Sequence, residues 1–339
     1  MTRVAAIDCG TNSIRLLIAD PDGHGGLIDV VRTLEVVRLG EGVDRTGQFS
    51  PGALDRTLAA VRTYAELCRE HGAECIRFVA TSATRDAANR AEFTDAVYAI
   101  LGVLVEVIPG SEEAALSFSG ALTALAASGS DSISDTATSA AAPDHREFKH
   151  LVVDLGGGST ELVLGSSTPE SAYSMDVGCV RLAERNIVSD PPSESELAAI
   201  RSDVTAALDI ATATVDLSQA TEVIGVAGTV TTITAHALGL TSYDPVAING
   251  SRLPLAAVLS SCEALTRMPR AERATLPYMH PGRVDVIASG AVIWATVLQR
   301  VADAAATAGH PLEWITTSEH DILDGLVLSI WNNAHDAPV

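Results

Sequence analysis

Short apolar runs separated by glycine and hydroxyl residues dominate the first third of the chain. They predict strands at roughly 3–9, 13–20, 27–38, 75–81 and 103–108. Between them the apolar spacing changes to three and four. Ser50-Pro51 supplies a cap and a first-turn residue, and Leu54, Leu58, Val61, Ala65 and Cys68 follow on one face of a helix. From 126 to 149 large apolar residues nearly vanish among Ser, Asp, Thr, Gly and Ala, which predicts a mobile linker. The pattern then resumes, with strands near 151–165 and 221–227 and helices near 195–214 and 229–239. A long helix at about 282–307 carries Val284, Ile287, Ala291, Trp294, Leu298 and Val301. A last helix opens near Ser318-Glu319-His320-Asp321 and bears Ile322, Leu326 and Ile330. Strands alternating with helices in this way make an α/β chain.

Within that pattern one arrangement occurs twice. Val4-Ala5-Ala6-Ile7 runs into Asp8-Cys9-Gly10-Thr11-Asn12-Ser13, and Leu151-Val152-Val153 runs into Asp154-Leu155-Gly156-Gly157-Gly158-Ser159. Each is followed at once by a second apolar stretch, so each reads as strand, glycine-bearing turn, strand. Such a turn lets backbone N–H groups and the hydroxyls of Thr11, Ser13, Ser159 and Thr160 meet an anion, while the preceding aspartate can hold a hydrated cation. A single copy would read as an ordinary hairpin. A second matched pair, Arg77 to Thr84 and Ile224 to Thr231, follows at nearly the same offset, which implies two related halves whose turns line a shared cleft.

Composition narrows what such a cleft could hold. The 339 residues are 47% hydrophobic but only 4% aromatic, enough for two cores built from Ala, Val, Leu and Ile. A net charge of −21 argues against nucleic-acid binding and leaves any phosphate to local arginines, backbone N–H groups and metal. Lys149 is the only lysine, so neither half has a Walker lysine. Cys9, Cys68, Cys75, Cys179 and Cys262 show no metal-binding spacing and suit reduced thiols. The start of the chain lacks a signal-peptide pattern. The most apolar helix, from Val284 to Ala306, is interrupted by Asp285, Arg300 and Asp303, so a cytoplasmic protein without a membrane span is expected.

Several residues invite a chemical reading beside a plain one. Glu112 and Glu113 after Pro109-Gly110-Ser111 are first of all helix-start acids. Glu161 lies just beyond the second turn, on a strand where it could equally face solvent. Arg38 before Leu39-Gly40 and Arg85 after Thr81-Ser82 read individually as surface arginines. Ser318 to Asp321 reads as a cap with first-turn acids rather than a triad, and His280-Pro281-Gly282-Arg283 as a turn.

Taken together, Ala6 to Ser13, Ala80 to Asp86, Gly110 to Ala114, Val153 to Glu161, Gly178 to Arg181, Met279 to Arg283 and Ser318 to Asp321 resemble, in order, the exopolyphosphatase and guanosine pentaphosphate phosphohydrolase (Ppx/GppA) family of the actin and sugar kinase superfamily. The resemblance implies two ribonuclease-H-like, actin-like domains with a cleft between them. These would be 1–125 plus a C-terminal helix at about 318–339, and 150–317, joined by the 126–149 linker. It implies Glu113 as the catalytic residue acting on water, and Asp8, Asp154 and Glu161 around a magnesium ion. Thr11, Asn12, Ser13, Arg38, Arg85, Gly156, Gly157, Gly158 and Ser159 would bind phosphate. The expected reaction is hydrolysis of terminal phosphoanhydride bonds of polyphosphate. Hydrolysis of pppGpp or another nucleotide, a kinase or ATPase reaction, and a non-catalytic sensor of (p)ppGpp or polyphosphate are the alternatives. A homodimer is left open. Longer relatives carry further carboxy-terminal domains, so strong processivity on very long polyphosphate is not expected of a chain ending at Val339.

Overall fold

The computed structural model describes residues 3–23, 26–127 and 148–335; most of the expected linker lies outside them. The first sheet contains β1 (Val4–Cys9), β2 (Ser13–Pro21), β3 (Leu27–Val36), β4 (Cys75–Ala80) and β5 (Val105–Val107) in the order β3-β2-β1-β4-β5. The second contains β6 (His150–Leu155), β7 (Thr160–Gly165), β8 (Pro169–Met175), β9 (Glu222–Val226), β10 (Arg252–Pro254) and β11 (Trp314–Thr317) in the order β10-β11-β9-β6-β7-β8. In each sheet three antiparallel strands form a meander and two later strands add parallel to the first, while β10 pairs antiparallel with β11 at the edge of the second sheet. Apart from the extra edge strand β10 the two orders are identical. This is the ribonuclease-H-like arrangement of actin-like domains, present twice.

Register extends the duplication to individual side chains. Asp8 lies opposite Arg15 in the first hairpin, and Asp154 lies opposite Glu161 in the second. The inner strands β1 and β7 are buried at every position, which accounts for their apolar runs Val4 to Ile7 and Leu162 to Leu164. The helix Pro51–Glu70 starts where expected, with Ser50 Oγ accepting from Ala53 N at 3.2 Å. Val61, Ala65 and Cys68 are buried as predicted, but the stripe is completed by Ala53, Thr57, Ala60 and Tyr64, while Leu54 and Leu58 pack at the margin. Two polar residues enter that stripe because each finds a carbonyl, Thr57 donating to Ala53 O at 2.8 Å and Tyr64 to Ile14 O at 3.0 Å.

Two helices tie the halves together by crossing between them. Gly110–Ala127 follows the first sheet but buries Ala114, Phe118 and Ala121 against Val152, Val163 and Ile224 of the second. Ile322–His335 follows the second sheet but buries Ile322, Leu326 and Ile330 against Val4, Ala6 and Leu17 of the first. The helices touch at Gly120 and Gly325, where added Cβ atoms would overlap the carbonyls of Asp321 and Leu116.

The expected helix at 318 begins instead at Ile322, because Asp321 acts as its cap. Asp321 Oδ1 accepts from Leu323 N at 3.1 Å, and Asp324 reaches back to accept from Asp321 N at 3.2 Å. His320 Nδ1 lies 2.8 Å from Asp324 Oδ1, and Arg32 Nη2 donates to the same oxygen at 2.5 Å. Burial alone would raise the Asp324 carboxyl, but the His320 hydrogen bond and the Arg32 charge outweigh it and hold it at about 2. Burial disfavours the His320 cation, yet Asp324 raises its pKa above the usual value. The Asp324 contribution to stability is therefore present above pH ~4 and fades toward pH 2, while that of His320 is complete below pH ~6.5 and is lost as pH rises through its raised folded value. In thermal melts, His320→Gln is expected to lie furthest below the wild type near pH 5 and to converge with it above pH 9. A gap that widens with rising pH would contradict the pairing.

Candidate active site

A cavity of about 630 Å³ lies between the two sheets, and both glycine-bearing turns line it. The turns close in the same way, Gly10 N donating to Ser13 O at 2.9 Å and Gly156 N to Ser159 O at 3.0 Å. Both have their carbonyls pinned from behind. Gly40 N reaches Thr11 O at 2.8 Å, and Val37 N and Arg38 N reach Asn12 O at 3.1 and 2.9 Å. In the second turn Cys179 N bonds Gly156 O at 3.1 Å, Val180 N bonds Gly157 O at 2.9 Å, and Arg181 Nε bonds Gly158 O at 2.7 Å. In a trans peptide the N–H points opposite to the C=O. The N–H groups of Gly157, Gly158 and Ser159 are thus turned away from those anchors in a row, and none has an acceptor among the described residues. That row is an anion cradle.

The two turns also pack directly on each other. Thr11 Oγ1 lies 2.9 Å from Ser82 Oγ, and a Cβ on Gly158 would stand 2.5 Å from both hydroxyl oxygens. Gly158 is accordingly used for contact between the lobes; Gly156, Gly157 and Ser159 reach the cavity, as do Thr11, Asn12 and Ser13.

Three of the expected carboxylates reach the same cavity from three elements: Asp8 at the end of β1, Asp154 at the end of β6, and Glu113 in the first turn of Gly110–Ala127. Asp8 Oδ2 accepts from Arg15 Nε at 3.0 Å and Nη2 at 2.6 Å, while its Oδ1 is buried with no partner. Burial raises the Asp8 carboxyl against the pull of Arg15. Asp154 accepts from the Ser117 hydroxyl and is pushed up to about 7, chiefly by burial and then by the charge of Asp321. Glu113 is also raised by burial, with Arg85 pulling it back and Asp8 adding to the rise. Arg85 Nη1 donates to Glu113 Oε2 at 2.7 Å and to Ile108 O at 3.0 Å, which fixes that carboxylate.

Four expected ligand residues lie off the cavity. Besides Gly158, Glu161 is buried behind the second turn, where Ser174 Oγ donates to it at 2.7 Å and burial raises its carboxyl strongly. Arg85 is spent on Glu113. Arg38 adopts the left-handed conformation at φ 51°, which brings two successive N–H groups onto Asn12 O, and its side chain pairs with Asp285 at 2.9 Å beside a separate recess.

Other residues to which the sequence assigned no site role reach the cavity, although Met279 to Arg283 and Ser318 to Asp321 belong to segments that carry the family resemblance. Arg15 bridges Asp8 and Asp321; its position opposite Asp8 follows from hairpin register. Asp321 both caps its helix and pairs with Arg15, the second role depending on a helix packed across the molecule. Arg283 lies flat against Gly228, where a Cβ would overlap the guanidinium, and donates to Thr232 Oγ1 at 3.2 Å. The Tyr243 hydroxyl stands 2.6 Å from Glu319 Oε1 and 2.8 Å from Thr231 Oγ1. Tyr243, Tyr278 and Met279 form a more apolar wall.

Buried carboxylates lining one cavity, with Asp8 Oδ1 lacking a partner among the described residues, are oxygen donors of the kind that suits a hard divalent cation. Among the described residues no three Asp, Glu, His or Cys side chains converge as a ligand group.

Comparison with known proteins agrees with this architecture. The Ppx/GppA phosphatase family profile matches residues 17–309. A relative named exopolyphosphatase 2, from Mycobacterium tuberculosis, is 47% identical over 338 residues, covering 97% of this chain and 99% of that protein. A bifunctional 3-dehydroquinate synthase/phosphatase of Fusobacterium nucleatum is 28% identical, covering 96% of this chain and 46% of that protein. The crystal structure of an exopolyphosphatase-like protein superposes with a TM-score of 0.88 at 45% identity, covering 98% of this chain and all 100% of that one. An Aquifex aeolicus Ppx/GppA family member does so with 0.73 at 26% identity, covering 99% of each. With a profile spanning most of both lobes and a relative this similar along nearly its full length, the chain belongs to the Ppx/GppA phosphatase family.

Proposed function

We propose that this protein hydrolyses terminal phosphoanhydride bonds of inorganic polyphosphate and releases orthophosphate. The observation that carries the reading is the meeting of Glu113, Asp8, Asp154 and both glycine-bearing turns around one cavity. The N–H groups of Gly157 and Ser159, with Thr11, Asn12 and Ser13, receive the terminal phosphoryl oxygens, and Arg15 and Arg283 add charge-assisted donors. Glu113 takes a proton from the attacking water; its raised basicity suits that task, and Arg85 keeps it aimed. Asp8 and Asp154 hold a hydrated divalent cation, which when bound neutralises charge on the transferring group. Glu161, opposite Asp154 in the hairpin and hydrogen-bonded by Ser174, supports that strand end from off the cavity. We read the chain as two domains exchanging their crossing helices, so that 3–23 and 26–109 with 322–335 form one lobe and 110–127 with 148–321 the other.

A nucleoside polyphosphate is the second reading, favoured by the wall of Tyr243, Tyr278 and Met279, which inorganic phosphate does not use. A phosphate-release panel over short and long polyphosphate, pppGpp and ATP, with and without magnesium, separates the two. Release from polyphosphate only with the ion present supports the first reading; release from nucleotides alone replaces it. Within the same assay Arg38→Ala is expected to stay within about twofold of wild type, as a half-exposed ion pair outside the cavity should. Arg85→Ala, which frees Glu113, should lower kcat about 100-fold. Equal losses would return Arg38 to the substrate.

A further inference from the structure

We propose that Arg181 is the positioning residue that makes the amide cradle of the second turn depend on contact with the first lobe. The inference rests on the hydrolase reading. The helix Cys179–Asn186 begins directly behind the cradle, and Gly178 lies so close that a Cβ there would overlap the Gly157 carbonyl. Three of the four anchoring bonds to the turn, from Cys179 N, Val180 N and Arg181 N, come from the backbone of this helix and stay within the second lobe. The fourth, to Gly158 O, comes from the Arg181 side chain, which is 12% exposed.

The other face of the same guanidinium belongs to the first lobe. Nη1 donates to Asp44 Oδ1 at 2.7 Å and Nη2 to Asp86 Oδ2 at 2.5 Å. Asp86 closes the short helix Ser82–Asp86, in which Ser82 touches Thr11 and Arg85 holds Glu113. One rigid, planar cation therefore links the carbonyl that orients the cradle to the element that aims the base. A guanidinium can serve three acceptors in fixed directions, which the point charge of a lysine cannot. When the lobes part, Arg181 must leave either Gly158 or the two aspartates. In the first case the Ser159 N–H loses its orientation; in the second the cradle loses its alignment with Glu113. The phosphate site and the base are thus assembled together.

Neighbouring contacts supply a control. Arg185 Nη2 also reaches Asp44, at 2.9 Å, across the same interface, but makes no contact with the turn. The experiment measures kcat and KM on short polyphosphate with magnesium for Arg181→Ala, Asp86→Ala, the double variant and Arg185→Ala, with melting temperatures alongside. Arg181→Ala and Asp86→Ala should each lose about 100-fold in kcat, the scale of a cradle displaced by about an ångström. The double variant should lose no more than Arg181→Ala alone, and Arg185→Ala should stay within about threefold of wild type. Independent, multiplying losses, or an Arg181→Ala variant that behaves like Arg185→Ala, would overturn the proposal. Should the wild type release no phosphate, the hydrolase reading fails and calorimetric binding of tripolyphosphate decides separately. Weaker binding by Arg181→Ala but not by Arg185→Ala sustains the coupling, and equal binding by all variants removes it.

Discussion

Replacing Glu113 by glutamine is expected to lower phosphate release by about 10³-fold, in the middle of the range for a lost general base. The substitution keeps the shape and a hydrogen-bond acceptor for Arg85 but removes the proton acceptor. Neither turn changes, so the cradle should still bind: KM, or the affinity for tripolyphosphate, should move far less than kcat. That split separates a base from a ligand. If Glu113 instead held substrate or the cation, binding would fall together with turnover. Full activity in the variant would take Glu113 out of the mechanism and turn attention to Asp154, pushed up to about 7 before any cation binds, among the other basic groups of the cavity.

The duplicated hairpins were legible because their signals are local. An apolar run ending in aspartate, followed by glycines and hydroxyl residues, specifies strand and turn over a dozen positions, and its repetition gave away the two-lobed plan. Ser50-Pro51 was equally readable as a helix start. The residues that escaped are those whose surroundings come from distant segments. No spacing rule says that the helix after β5 packs on the other sheet, so Glu113 could be read as a helix-start acid and nothing more. Asp321 reads in the sequence as a first-turn acid of a helix opening near Ser318, whereas it caps a helix beginning at Ile322; a cap retains a second oxygen, and only the crossing helix brings that oxygen to Arg15. Alternation could not place Glu161 because β7 is buried on both faces. Arg38 misleads for another reason: its backbone, through a positive φ, serves the first turn, and its side chain merely follows. The short edge strands β8 and β10 carry too few apolar residues to announce themselves.

A second large effect is expected where the two crossing helices meet. Gly120→Val would place a branched side chain against the Asp321 carbonyl and the Gly325 amide, backbone atoms that cannot rotate aside. Overpacking of this kind costs about 1–3 kcal/mol, or more where backbone must move, and for a chain of this size about 2–4 °C of melting temperature per kcal/mol. The structural consequence reaches further than stability. Pushing the helices apart displaces Glu113 on one and Asp321 on the other, from opposite sides of the same cavity. We therefore expect Gly120→Val to lose activity by about 100-fold even well below its melting temperature, as misplacement of a catalytic group by about an ångström would require. Phe118→Leu, which loosens the packing of the same helix on the second sheet without entering the crossing, should lower the melting temperature while keeping kcat within severalfold of wild type. Measuring both variants at matched distance below their melting points is the decisive comparison. If activity tracks stability alike in the two, the crossing is only a packing contact; if Gly120→Val falls far below that line, the close approach of the two helices sets the catalytic geometry.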